Sequence, residues 1–130
     1  MLTRVEDGPA VVACSTCGGR DAGGMRDGAK LARLLGDEQR RDPAFAGVTV
    51  QVMACLFACV DACTVHVRGP GRIGYVLGRF VPDAEAARAI LGYAAAHAQS
   101  IDGEVPFAAW PEGVKGHFIT RTPPPGFVIE

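Results

Sequence analysis

The stretch CLFACVDAC, residues 55–63, sets three cysteines at steps of four, and VVACSTCGGR, residues 11–20, carries two more as a C-x2-C pair. Thiolates are soft donors for zinc and for iron–sulfur clusters, and they are also the nucleophiles of disulfide exchange. Chemistry is therefore expected from Cys14, Cys17, Cys55, Cys59 and Cys63. A free cysteine can simply be a small buried apolar group, and that reading covers one of the five. It does not explain a pair plus a run, with Gly18, Gly19, Gly23 and Gly24 beside the pair.

Which thiol chemistry is expected depends on the compartment. The chain opens MLTRVEDGPA, with Glu6 and Asp7 where a signal peptide needs its apolar stretch, and no run of apolar residues is long enough to span a bilayer. The expected location is the cytoplasm, where thiols stay reduced and clustered cysteines are more often metal or redox sites than disulfides. An odd count of five points the same way. Lysines and arginines number 13 against 14 acids, a formal charge of −1, so no field of either sign attracts nucleic acid or an anionic membrane. Neither is an expected partner. A length of 130 residues, 48% apolar, suits one core and one domain.

The elements that must position these thiols follow from periodicity. AVVAC reads as a strand ending at Cys14. DGAKLARLLGDEQRRD places Leu31, Leu34 and Leu35 on one face of an amphipathic helix, with Asp27 expected to cap its first turn. GVTVQVMAC alternates Val48, Val50 and Val52 against Thr49 and Gln51, which predicts a strand with the valines inward that runs into Cys55. CTVHVRGPGRIGYVLG reads as a hairpin, with Val65 and Val67 inward on one strand and Ile73, Tyr75 and Leu77 on one face of the other. A second helix begins at Asp83, with Ala87, Ile90, Leu91, Ala94 and Ala98 as its apolar stripe. Residues 101–130, rich in proline, are expected to form an irregular extension packed on the domain of residues 1–100, anchored by Phe107, Trp110, Phe118 and Phe127.

The order β, α, β, β, β, α assembles as a parallel β-α-β unit extended by a hairpin, a small mixed α/β sheet with two main helices. Parallel neighbours end at the same sheet edge, so Cys14 and Cys17 would meet Cys55 and Cys59 across a short gap. Two separate loops could then share one metal centre.

A strand ending in cysteine, a helix, a strand ending in C-x3-C and a hairpin together resemble the thioredoxin-like 2Fe-2S ferredoxins. More closely, CSTCGG, VMACLFACVDACTV, GPGRIGYVLG and SIDGEVPF are similar to a bacterial family of predicted metal-binding proteins (domain of unknown function 1636). The resemblance covers nearly the whole chain. It implies a thioredoxin-like fold and one 2Fe-2S cluster held by Cys14, Cys17, Cys55 and Cys59, with Cys63 as an alternative ligand or buried neighbour. The first pair is spaced more closely than in those ferredoxins, and Cys63 has no counterpart in them. On this reading the glycines after Cys17 turn N–H groups toward sulfur, and Leu56 and Phe57 shield the centre.

Two other readings stand beside it. Four thiolates also make an ordinary structural zinc site, which would give a metal-binding or metal-handling module without redox role. The Cys14–Cys17 pair after a first strand is also the context of a thiol–disulfide oxidoreductase, although a glycine-rich loop rather than a helix follows the pair. Haem attachment fails because Gly18, not histidine, follows Cys17. GPGRIG matches a dinucleotide fingerprint only literally, since YVLGRF after it reads as a strand. His66, His97 and His117 are scattered and read as packing or surface residues, and Asp61 and Arg68 as exposed loop residues ahead of a second reading, charges that tune the potential of the cluster. No catalytic residues are assigned. The expectation is an electron carrier, not an enzyme, whose partners are transient redox proteins or a second copy in a homodimer.

Overall fold

The computed structural model describes the whole chain, Met1–Glu130. Five strands form one sheet: β1 (Ala10–Cys14), β2 (Thr49–Met53), β3 (Val65–Arg68), β4 (Gly74–Leu77) and β5 (Phe118–Thr122), in the order β2-β1-β3-β4-β5. β1 and β2 are parallel, with Cys14 opposite Met53, and the other pairs are antiparallel. Two helices, α1 (Asp27–Arg41) and α2 (Ala84–Gln99), complete the α/β arrangement. No helix is long and apolar enough to cross a membrane.

The alternation of β1 and β3 sends Val11, Ala13, Val65 and Val67 to one face, where they meet Leu31 and Leu35 of α1 and Ile90, Leu91 and Ala94 of α2 in a single core. Asp83 caps α2 as its sequence predicts, its carboxylate accepting from the Ala86 N–H at 2.8 Å. Asp27 does not cap α1. Arg26 occupies the cap position, and the Asp27 carboxylate reaches back to the Gly19 N–H at 3.2 Å.

Alternation in β2 also departs from expectation. Val48 is buried and Val50 half-buried, but Gln51 is buried while Val52 is exposed. The segment before β1 explains the glutamine: its amide donates to the Glu6 carbonyl at 2.8 Å and accepts from Arg68 at 3.1 Å, so its polar atoms are paired under cover. Arg68 is thus an exposed residue with a structural partner.

Residues after Ser100 are more ordered than their composition suggests. Two short 3-10 turns (Phe107–Ala109 and Glu112–Val114) lead into β5, which pairs along β4 with a register shift at Val76 and Leu77. Val114 is fully buried, and Tyr93 of α2 lies against Trp110 and Phe118 with ring centroids at 6.0 and 5.2 Å. That contact buries a flank of α2, Tyr93 and His97, outside the expected stripe. His97 is a packing residue, its Nε2 at 2.6 Å from the Ile73 carbonyl; burial lowers its pKa and outweighs that bond. His66 is half-buried on β3, and His117 stacks on Phe80 at 4.2 Å.

The GPGRIG segment is the turn between β3 and β4, with Gly71 at φ 68. Arg72 reaches from it to the carbonyls of Ala98 and Ser100 at 3.0 and 2.9 Å, closing the C-terminal end of α2. A strand, not a helix, follows these glycines, so they open no phosphate-binding N-terminus.

Candidate metal centre

Both cysteine groups leave the same edge of the sheet, because β1 and β2 are parallel and end opposite each other. The loops beyond are tied together: the Ser15 N–H donates to the Met53 carbonyl at 2.9 Å, and the Thr16 hydroxyl donates to the carbonyl of Ala54. On the other side the Cys14 N–H donates to the Thr64 carbonyl at 3.0 Å. The first loop is thereby held between the second loop and the start of β3.

Within this frame the thiols gather as two pairs. Cys14 and Cys17 have their sulfurs 2.7 Å apart, and Cys55 and Cys59 theirs at 3.3 Å. Nowhere are three Cys, His, Asp or Glu side chains collected as they would be around one ion. The pairs differ in exposure. Cys14 and Cys17 are 0% and 1% exposed, whereas Cys55 is half-buried and Cys59 exposed. Cys63 is buried in the hydrophobic core at the head of β3.

Main-chain N–H groups point at sulfur from both loops. The Phe57 N–H lies 3.3 Å from the Cys55 sulfur, and the N–H groups of Thr16 and Leu56 act on Cys14. The glycines after Cys17 do not supply these donors. Gly18, at φ 79, instead turns the chain so that the loop packs on Asp27, where an added Cβ would lie 2.6 Å from the Asp27 Cβ. Phe57 does not shield the centre either: it is 99% exposed with φ 58, while Leu56 is half-buried. The left-handed backbone at Phe57 leaves its ring in solvent.

The sulfurs feel one another electrostatically. Burial raises the Cys14 pKa, but the hydrogen bond from Cys17, those from the Thr16 and Leu56 N–H groups and the contact with the Thr16 hydroxyl outweigh it and hold the thiol at about 7. Burial, and then the proton it shares with Cys14, raise Cys17, against a hydrogen bond at 3.3 Å with the Thr64 hydroxyl. Cys59 is pushed up to about 11, first by its contact with Cys55 and in part by Cys17 and Cys14 across the gap. Burial pushes Cys63 up to about 11, helped by Asp27, Cys17 and Cys14.

Two positioning features escape sequence reading. Gly28 lies where the first turn of α1 meets the first loop: its N–H donates to the Cys17 carbonyl at 2.9 Å, and a Cβ there would lie 2.1 Å from the Cys14 oxygen. Despite the intervening glycine-rich loop, the positive end of α1 rests against the first pair. A glycine in a helical first turn, where it costs stability, was the available signal. The other feature is Asp61, which is paired with Arg79 at 2.8 Å rather than free in its loop.

Comparison with known proteins places the family and the fold. The family model described as "Protein of unknown function (DUF1636)" matches residues 11–124. The chain belongs to that family. Among solved structures it is similar to a thioredoxin-like [2Fe-2S] ferredoxin from Aquifex aeolicus, at 18% identity and a TM-score of 0.53, over 95% of this chain and 100% of that one. This member of the DUF1636 family thus has a thioredoxin-like fold. No curated protein matches it.

Proposed function

We propose that this chain is an electron carrier holding one 2Fe-2S cluster on Cys14, Cys17, Cys55 and Cys59. The observation that carries this reading is the grouping of four thiols two by two, in two loops laced by main-chain bonds at one sheet edge. Two irons take two thiolates each, and the two loops offer one pair apiece. The ferredoxin named above, whose fold this chain shares, adds support.

Bound there, the cluster would supply one-electron redox chemistry. The protein's own groups do the rest. Cys14 and Cys17 hold the buried side, Cys55 and Cys59 the side facing solvent, and the N–H groups of Thr16, Leu56 and Phe57 offset negative charge on sulfur. The thiol–disulfide reading draws on the Cys14 pKa of about 7. Against it, an attacking sulfur must meet its substrate, and neither member of that pair is accessible.

Purification with iron supplied tests the assignment. The expected protein is coloured, bleaches with dithionite and contains iron and acid-labile sulfide in equal amounts. A colourless protein with tightly held zinc overturns the redox reading in favour of a metal-binding module, and insulin reduction by metal-free protein, lost in Cys14→Ser, overturns it in favour of thiol chemistry. Cys55→Ser and Cys59→Ser are expected to lose the cluster and Cys63→Ser to keep most of it; loss in the last refutes the ligand set.

A further inference from the structure

Arg79 sits on the link between β4 and α2, outside both cysteine loops, yet it joins the second loop to the C-terminal segment. Its N–H donates to the carbonyls of Asp61 and Ala62 at 2.8 and 2.9 Å. Its guanidinium donates to the Asp61 carboxylate at 2.8 Å and to the Gly116 carbonyl at 3.0 Å. One residue therefore grips the 3-10 turn Cys59–Asp61 by main chain and side chain together, and anchors it to the approach to β5.

The gripped segment needs holding. Ala62 and Cys63 have φ of 48 and 43, two successive side-chain-bearing residues in the left-handed region, and Arg79 itself has φ 65. L-residues adopt this conformation only where surrounding contacts enforce it. The wall behind Arg79 is fixed. Gly78 donates to the His117 carbonyl at 2.9 Å and its own carbonyl accepts from His117 Nδ1 at 2.8 Å. A Cβ on Gly78 would lie 2.7 Å from Ile119 Cδ1 and 3.2 Å from the Asp61 Cβ, so the link is wedged between the loop and β5. An isolated, half-exposed ion pair would contribute little. This one is distinguished by joining the second cysteine loop to the approach to β5 while the main chain of the same residue holds that loop.

We propose that Arg79 is a positioning residue for Cys59, fixing the second cysteine loop in its metal-holding shape through Asp61 and Gly116. The proposal rests on the reading of Cys55 and Cys59 as ligands. It also gives the C-terminal segment, remote in sequence from every cysteine, a part in holding the metal.

Arg79→Ala, Arg79→Gly and Arg79→Lys test it. Glycine suits φ 65 and so removes the side chain without left-handed strain, which guards against simple misfolding. In metal-free protein, amide exchange over residues 58–63 is expected to quicken roughly tenfold in the alanine and glycine variants, with β1 and α1 unchanged and lysine intermediate. In metal-loaded protein, release to a competing chelator should quicken in the same order. Exchange and release equal to the unmodified protein, or acceleration spread evenly over the chain with a lowered Tm, would overturn the proposal. Failure of the functional reading is seen separately, as unmodified protein without iron and sulfide, while the exchange measurement still decides whether Arg79 holds the loop.

Discussion

Thr64 shows what a single side chain contributes to the centre. It is 1% exposed, and its hydroxyl has the Cys17 sulfur at 3.3 Å. A buried hydroxyl left without a partner is costly, so this contact serves the fold as well as the sulfur. Once Cys17 is a thiolate, the hydroxyl can only donate to it, and a donor favours the more negative, reduced state. Thr64→Val keeps the shape and removes the donor. On the proposed 2Fe-2S reading, the expected result is a protein that keeps the cluster but has a more negative reduction potential in a redox titration, with Thr64→Ser returning toward the original value. An unchanged potential in Thr64→Val would show that the threonine serves packing alone.

Helix α1 shows how the element, rather than the residue, decides the effect of a substitution. Alanine in place of glycine gains about 1 kcal/mol of helix propensity in an open position. At Gly36 the nearest atoms to an added Cβ belong to the mobile end of Arg40, at 3.3 Å, so Gly36→Ala should stabilise the protein by about that amount. At Gly28 the same methyl would lie 2.1 Å from a main-chain oxygen of the cysteine loop, which cannot step aside. Overlap of that kind costs roughly 1–3 kcal/mol and outweighs the propensity gain, so Gly28→Ala should destabilise. Urea unfolding of the two variants, with midpoints moving in opposite directions, checks this; movement in the same direction refutes the close approach. Both helices and the first four strands were legible in sequence from their apolar runs and spacing, as Val65 and Val67 or Ile90, Leu91 and Ala94 show, although β1 is buried at every position and β2 does not bury its residues alternately. That the two cysteine-bearing strands end at one sheet edge was legible too, since it follows from a parallel β-α-β unit. The contacts of Gly28 and Arg79 were not, because each joins segments whose proximity exists only after folding. Gln51 misled for a related reason: period places a residue on a face, but what covers that face comes from Glu6 and Arg68.

At the scale of the whole molecule, the unresolved division in sequence is between residues 1–100 and the extension. FITRT, residues 118–122, carries no buried alternation that would betray a strand, and prolines surround it, yet it closes the sheet against β4. Without it β4 would present a bare edge, and α2 would expose the flank that holds Tyr93. Loss of the whole extension would also deprive the Ile73 N–H of the Asp102 carbonyl it meets at 2.7 Å, and the core of Val114. These losses exceed what a small domain with a few kcal/mol in reserve can absorb. Residues 123–130 contribute no buried side chain and no strand. A chain ending at Thr122 is therefore expected to melt within a few degrees of the full protein, whereas a chain ending at Ser100 should keep helical far-UV dichroism, bind hydrophobic dye and lack near-UV tyrosine bands. Cooperative melting and native-like near-UV bands in the shorter chain would mean that the first hundred residues fold alone, and that β5 and the Arg79 contact to Gly116 are additions to a domain already complete.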